Sequence, residues 1–260
     1  MQTFRLFVCA LLFVPFQFPE RVLAQQAPSQ AFLTKIEAAY SSQRDVPRLL
    51  SLTGSGSWTA GSLQESGLIN ETVSSDGSTR ESWTFPTVSH SHTQGPIDLS
   101  SFGRVCSYAD AKGKNRSIEG RNCIQPIPWF DPSFVSSKIY APSALVTDMT
   151  SESDIAQGLV KLSYTFALSQ TQGLPAASLK TLQQLQGYMT VNIFYNSQTA
   201  LPSRMEYQQA IDRDDATSLD VAVSFGDYSS EGGFMVPHHI QRFLQRTLIL
   251  DFVVTSVSVQ

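Results

Sequence analysis

The chain has 260 residues, of which 42% are hydrophobic and only 15% charged, and a formal net charge of −4 at pH 7. That mild acidity argues against nucleic acid and against an anionic membrane surface, both of which call for basic patches. The length fits one large domain or two small ones, and with no linker or low-complexity tract to divide it, one is preferred.

Residues 1–24 read as a signal peptide. Arg5 supplies the basic start, Leu6–Phe18 is apolar but too short to span a bilayer, and Val22-Leu23-Ala24 places small or apolar residues before Gln25, the expected first mature residue. Pro15, Pro19 and the polar sequence from Gln25 onward argue against an anchored helix. Cys9 lies inside the apolar run behind Val8, not at a lipoprotein cleavage site, and leaves with the segment. Cleavage removes two arginines and one glutamate, so the mature chain is one unit more acidic. The expectation is a periplasmic or secreted protein with no stable transmembrane segment, a single domain over residues 25–260.

Ser29 can cap a helix over Gln30–Tyr40, with Phe32, Leu33, Ile36 and Ala39 or Tyr40 on one stripe. Beyond Pro47 the period changes to two. Residues 51–60 form a strand in which Gly54 and Gly56 suggest a bulge or tight curvature. Leu68–Ser74 and Ser78–Phe85 flank Asp76-Gly77, a strong hairpin signal. A loop-rich stretch runs from Ile97 to Pro132 and holds Cys106 and Cys123. These lie symmetrically about Lys114-Asn115, so a hairpin centred there would bring the thiols face to face. In an oxidising compartment such a disulfide contributes about 3 kcal/mol by constraining the unfolded chain. A redox pair is disfavoured because the close Cys-x-x-Cys spacing is missing.

A short helix is expected over residues 133–141, then a strand over 159–168 with Leu162, Tyr164, Phe166 and Leu168 on one face. Leu174–Gly187 reads as an internal helix, with Pro175 in its first turn and Gly187 at its end. From Tyr188 to Val259 the chain alternates as an antiparallel meander. Its apolar positions are Met189, Val191, Ile193 and Tyr195, then Met205, Tyr207 and Ile211, then Leu219, Val221, Val223 and Phe225, then Leu248, Leu250 and Phe252. Two helices beside one long antiparallel sheet make an α+β protein.

The segment 195–204, with Thr199-Ala200-Leu201-Pro202 in its turn, resembles a signature of the LolA-like outer-membrane lipoprotein-sorting superfamily. So do Val223–Tyr228, Gly232-Gly233 and Val236-Pro237-His238-His239-Ile240. The resemblance covers about the last seventy residues and, more weakly, Pro128–Tyr140. It implies a strongly curved sheet, an incomplete β-barrel whose concave apolar face is covered by the N-terminal and internal helices. That face would accept a lipid, an acyl chain or a lipidated protein. The segment 101–132 is then an insertion carrying the disulfide hairpin, and no functional arginine of the carriers aligns with a residue here.

Chemistry is harder to find. His90 and His92 share a strand face and His238-His239 does not, so three histidines at most could meet. Without further converging ligands, an exposed loop for the first two and a hydrogen bond after Pro237 for the others is the simpler expectation, and no metal or cofactor is expected. Gly54-Ser55-Gly56-Ser57 lacks the spacing of a nucleophile elbow. Asp212, Asp214 and Asp215 fit an acidic turn better than a calcium loop. Asn70-Glu71-Thr72 and Asn115-Arg116-Ser117 match glycosylation acceptors. The expected function is non-catalytic binding, with Trp58, Trp83, Phe85, Tyr164, Phe166, Tyr207, Val223 and Phe225 as cavity-lining candidates. Alternatives are an interaction module with a filled core and an exported hydrolase with a polar cleft at His90 and His92.

Overall fold

The computed structural model describes residues 27–40, 49–87, 89–96, 106–118, 127–136, 144–166, 187–211 and 214–260. Helix α1 (Gln30–Tyr40) begins where Ser29 accepts the Phe32 amide at 3.2 Å, and it buries Ile36 and Tyr40. Strands β1 (Leu49–Ala60), β2 (Leu63–Ser74), β3 (Thr79–Thr84), β4 (Ser89–Gln94), β5 (Cys106–Asp110) and β6 (Asn115–Ile118) form a meander. After a 3-10 turn at Pro132–Ser136 come β7 (Ala144–Asp148), α2 (Glu152–Ala156), β8 (Leu159–Phe166) and β9 (Thr190–Asn196). The chain ends in β10 (Pro202–Ile211), β11 (Asp214–Glu231), β12 (Phe234–Leu244) and β13 (Thr247–Val259).

All thirteen strands among the described residues belong to one antiparallel sheet in the order β6-β5-β4-β3-β2-β1-β13-β12-β11-β10-β9-β8-β7. The first and last strands pair in its middle, and the two edges, β6 and β7, are neighbours in sequence. The sheet curves without closing, an α+β incomplete barrel. The connection from one edge to the other carries residues 127–136, whose Ile127, Trp129, Phe130, Phe134 and Val135 are almost wholly buried in the same core as α1. A long meander with one apolar face must cover it, and here α1 and this cross-piece do so.

Glycine sets the curvature near the centre. A Cβ on Gly54 would sit 2.0 Å from the Val253 carbonyl oxygen, and one on Gly56 would sit 2.2 Å from Ile69 Cδ1. The β1–β13 register shifts between Thr53 and Gly54, the expected bulge. The Asp76-Gly77 hairpin also forms, with Gly77 at φ 80°.

Several expectations need correction. The cysteine hairpin exists, but its register pairs Cys106 with Ile118 and centres it on Lys112, so Cys123 is not the residue opposite Cys106. Cys123 lies outside the described residues. His90 and His92 sit on β4, not on an exposed loop. The helix expected over 133–141 is a single 3-10 turn within the described residues, and residues 137–141 fall outside them. The signal segment falls outside as well, as does the helix over 174–187 apart from its last residue, Gly187. Leu248 is 36% exposed, because a register shift opposite Arg242 and Phe243 skips Ile249 and takes Leu248 out of phase with Leu250. Two elements lacked a strong signal: β7, and α2, whose capping box pairs Ser151 with Asp154.

Candidate functional site

Alternation puts one residue in two on the concave face, and the face divides into two parts. On β8 to β11, Leu162, Tyr164, Val191, Ile193, Tyr195, Met205, Tyr207, Val221, Val223 and Phe225 are all buried and, hydroxyls apart, apolar. Of the cavity-lining candidates, Tyr164, Tyr207, Val223 and Phe225 belong to this part. Trp83 and Phe85 lie across the sheet, edge to face at 6.1 Å, with half-buried Trp58 at 6.5 Å from Phe85. Phe166 closes β8, pairing with Ala144, and its side chain is outside the described set.

Where α1 and the cross-piece meet this face, hydroxyls and one acid are buried together. Tyr164 and Tyr195 share a hydrogen bond at 2.8 Å, while the hydroxyls of Tyr40 and Tyr228 have no partner among the described residues. Burial, with Tyr228 and Asp131 nearby, holds the Tyr40 hydroxyl well above its usual pKa. Burial also raises Asp131 to about 6, against two hydrogen bonds from Ser133 that pull it down. Folding therefore binds a proton between the unfolded value of 3.8 and about 6, so stability falls as pH rises through that window and levels off above it. The loss should approach about 3 kcal/mol. Asp131→Asn is expected to flatten this part of the stability–pH curve in urea titrations between pH 4 and 7. An unchanged slope would remove Asp131 as its source.

The second part of the concave face is charged. Glu71 (β2), Glu81 (β3), His92 (β4) and Tyr108 (β5) stand opposite one another in register, beside the row Ile69, Trp83, His90. Glu71 and Glu81 are 0% and 6% exposed. Two carboxylates directly opposed in a core repel one another unless one is protonated. Burial, then Glu81, pushes Glu71 well above the usual carboxylate range. Burial acts the same way on Glu81, but the hydrogen bond and charge of His92, with Arg242, win and hold it below that range. Trp83 Nε1 donates to Glu71 at 2.8 Å, and His92 Nδ1 lies 3.5 Å from Glu81. His90 is packed between Trp83 and Tyr108 at 4.8 and 5.3 Å, and burial lowers its pKa.

Arg242, on β12, supplies the counter-charge. Its Nη2 donates to Gln209 at 3.1 Å, its guanidinium lies 5.4 Å from the Trp129 ring centre, and it acts electrostatically on Glu81, Glu71 and Tyr207. Glu71 Oε2, His90 Nδ1, His92 Nε2, Arg242 Nε and Trp129 Nε1 are all buried without a hydrogen-bond partner among the described residues. Sequence reading found His90 and His92 here but passed over Glu71, Glu81 and Arg242. The signal was present, since all three occupy inward positions of alternating strands, next to Ile69, Trp83 and Ile240. The imidazole–carboxylate pair could shuttle a proton. Ser82 and Ser91, the hydroxyls adjacent in sequence, point to the other face.

The remaining polar features are self-contained. His238 Nε2 meets the Ser229 hydroxyl at 2.7 Å, and His239 meets Asp251 at 2.6 Å, so neither joins His90 and His92. A cleft of about 760 Å³ opens on the outer face between Asn192, Arg204, Glu206, Gln208, Asp220 and Ser224. Its Arg204 pairs with Glu206 at 2.6 Å, and its Gln208 donates to Asp220. No helix among the described residues is long and apolar enough to cross a membrane.

No protein-family model matches the chain, and no curated protein does. Solved structures do. A domain of an outer-membrane lipoprotein-sorting protein from Vibrio parahaemolyticus matches 88% of this chain and 91% of its own, with a TM-score of 0.54 at 10% identity. A DUF1329 family protein from Desulfovibrio piger matches the same shares with a TM-score of 0.55 at 9% identity. A LolA superfamily protein from Nitrosomonas europaea aligns at a TM-score of 0.48 and 9% identity. The fold is thus shared with the lipoprotein-sorting domain and the DUF1329 protein over most of the chain, and it is the curved, incomplete barrel expected from the motifs.

Proposed function

We propose that the chain is an exported, non-catalytic binding protein that holds an acyl chain, free or on a lipidated partner, against the apolar part of its concave face. The observation carrying this reading is the way that face is covered. Residues 127–136, which lie between β6 and β7 in sequence, place Trp129, Phe130 and Phe134 in the same core as α1 and the inner surface. In this structure the cover packs into the same buried core as the face. A ligand enters by displacing it, exchanging one set of apolar contacts for another. Burying about ten methylenes is worth on the order of 8 kcal/mol before association costs, enough for micromolar binding if half survives. The LolA-like fold, shared with a lipoprotein-sorting domain, supports the same reading.

A photoreactive fatty acid tests it. Cross-links should fall on inner residues of β9 to β11, around Val191, Met205 and Val223. Labelling confined to the outer face, or none in folded protein, would overturn it. The second reading, an interaction module with a permanently filled core, is favoured by the same Trp129 and Phe130 burial, and it predicts no labelling of the inner face.

Export also bears on the cysteines. A Cys106–Cys123 bridge would tether β5 to the chain that leads into the cross-piece. Alkylation of exported protein without reduction should add no mass at either thiol. Full labelling of both would remove the bridge.

A further inference from the structure

We infer that the cluster of Glu71, Glu81, His92, Arg242 and Trp129 is a binding site for an uncharged, hydroxyl-bearing head group, lying beside the acyl-chain face. The inference rests on the acyl-chain reading above and adds to it the chemistry of the ligand's polar end. Four buried polar atoms of this cluster, from three strands and the cross-piece, lack partners among the described residues. Buried polar atoms in native proteins are paired, and each exception asks for an explanation. Glu71 and Trp129 are 0% and 1% exposed, so neither free atom is served by bulk solvent.

The unpaired atoms also define what would pair with them. Arg242 Nε and Trp129 Nε1 can only donate. His92, which meets Glu81 through Nδ1, presents Nε2 as an acceptor in the neutral ring and a donor in the charged one, and Glu71 Oε2 adds an oxygen that can accept. A ligand that donates and accepts at once satisfies both sets, and a hydroxyl is the smallest group that does. Charge narrows the choice further. Glu81 already has His92 and Arg242 as counter-charges and Glu71 is held toward its neutral form, so an added cation or anion would find no free counter-ion inside the network. The site adjoins the chain-binding face directly, because Arg242 pairs in register with Val223 and contacts Gln209 on β10.

Head-group selectivity is the readout. Monooleoylglycerol, oleate and oleylamine carry the same chain length with neutral, anionic and cationic heads, and each can displace a fluorescent fatty-acid probe from the whole mature protein. Monooleoylglycerol is expected to bind at least tenfold more tightly than the two charged ligands. Arg242→Lys keeps the positive charge but loses the Nε donor and the planar fork, so it should erase most of that preference while oleate affinity changes less than twofold. Circular dichroism verifies its fold, and Trp129→Phe, which removes the indole N–H while keeping an aromatic ring at the position, is an independent second variant subject to the same folding control. Competition by free glycerol at millimolar concentration would identify a soluble polyol as the source of the hydroxyl. Equal binding of all three ligands by wild-type protein, or a preference untouched by both variants, would overturn the site and leave acyl-chain binding standing. Failure of all three to bind overturns both.

Discussion

Replacing Arg242 by methionine is expected to destabilise the fold by about 3–5 kcal/mol, the cost of breaking a buried charge network from one side. The reason lies in the register. Glu71 and Glu81 face each other in the core, and Glu81 keeps its charge through His92 and Arg242. Without the guanidinium, Glu81 must either remain charged in a desolvated site or take up a proton. Urea unfolding at pH 7 should show the loss, and adding Glu81→Gln should recover much of it, because the neutral amide no longer needs a counter-charge. Non-additivity of that size is the signature of a coupled pair. If Arg242→Met costs under about 1 kcal/mol, the guanidinium is solvent-screened and the network is a surface feature.

Trp129→Ala should separate a cover from a core. Truncating a buried tryptophan typically costs about 3–5 kcal/mol, and Trp129 is 1% exposed. If the cross-piece competes with a ligand for the concave face, however, the same substitution raises the fraction of molecules whose face is open. Apparent affinity scales with that fraction. The expected result is lower stability combined with about tenfold tighter binding of a fluorescent fatty-acid probe. A variant that loses stability and gains no affinity behaves as an ordinary core mutant and favours the permanently filled interior.

The sheet was legible because its alternation is long and clean. Val191, Ile193 and Tyr195, or Val221, Val223 and Phe225, define a face without help from neighbours, and both triplets are buried. Helix α1 was legible because Ser29 and the Phe32–Tyr40 stripe agree. The polar half of the concave face was not, for a physical reason. A charged residue at an inward position reads as a break in the pattern until the partner that neutralises it is known. Arg242 lies on β12 while Glu71 and Glu81 lie on β2 and β3, with β1 and β13 between them in the sheet. Only the curvature brings them together. The cross-piece was hidden similarly. Pro126–Pro132 reads as loop, and nothing local says that a loop from one edge of a sheet to the other must cross the interior. The hairpin centre was misplaced by trusting the symmetry of two cysteines over the turn chemistry of Lys112-Gly113, where Gly113 takes φ 73°.

Lipid extraction from protein exported and purified without detergent, read by native mass spectrometry, tests the central claim most directly. The expected result is a bound species near one per chain, carrying a fatty acyl chain and a neutral hydroxyl-bearing head, that dissociates as the protein unfolds. Folded, exported protein that carries no lipid and binds no fatty-acid probe at high micromolar concentration would contradict it.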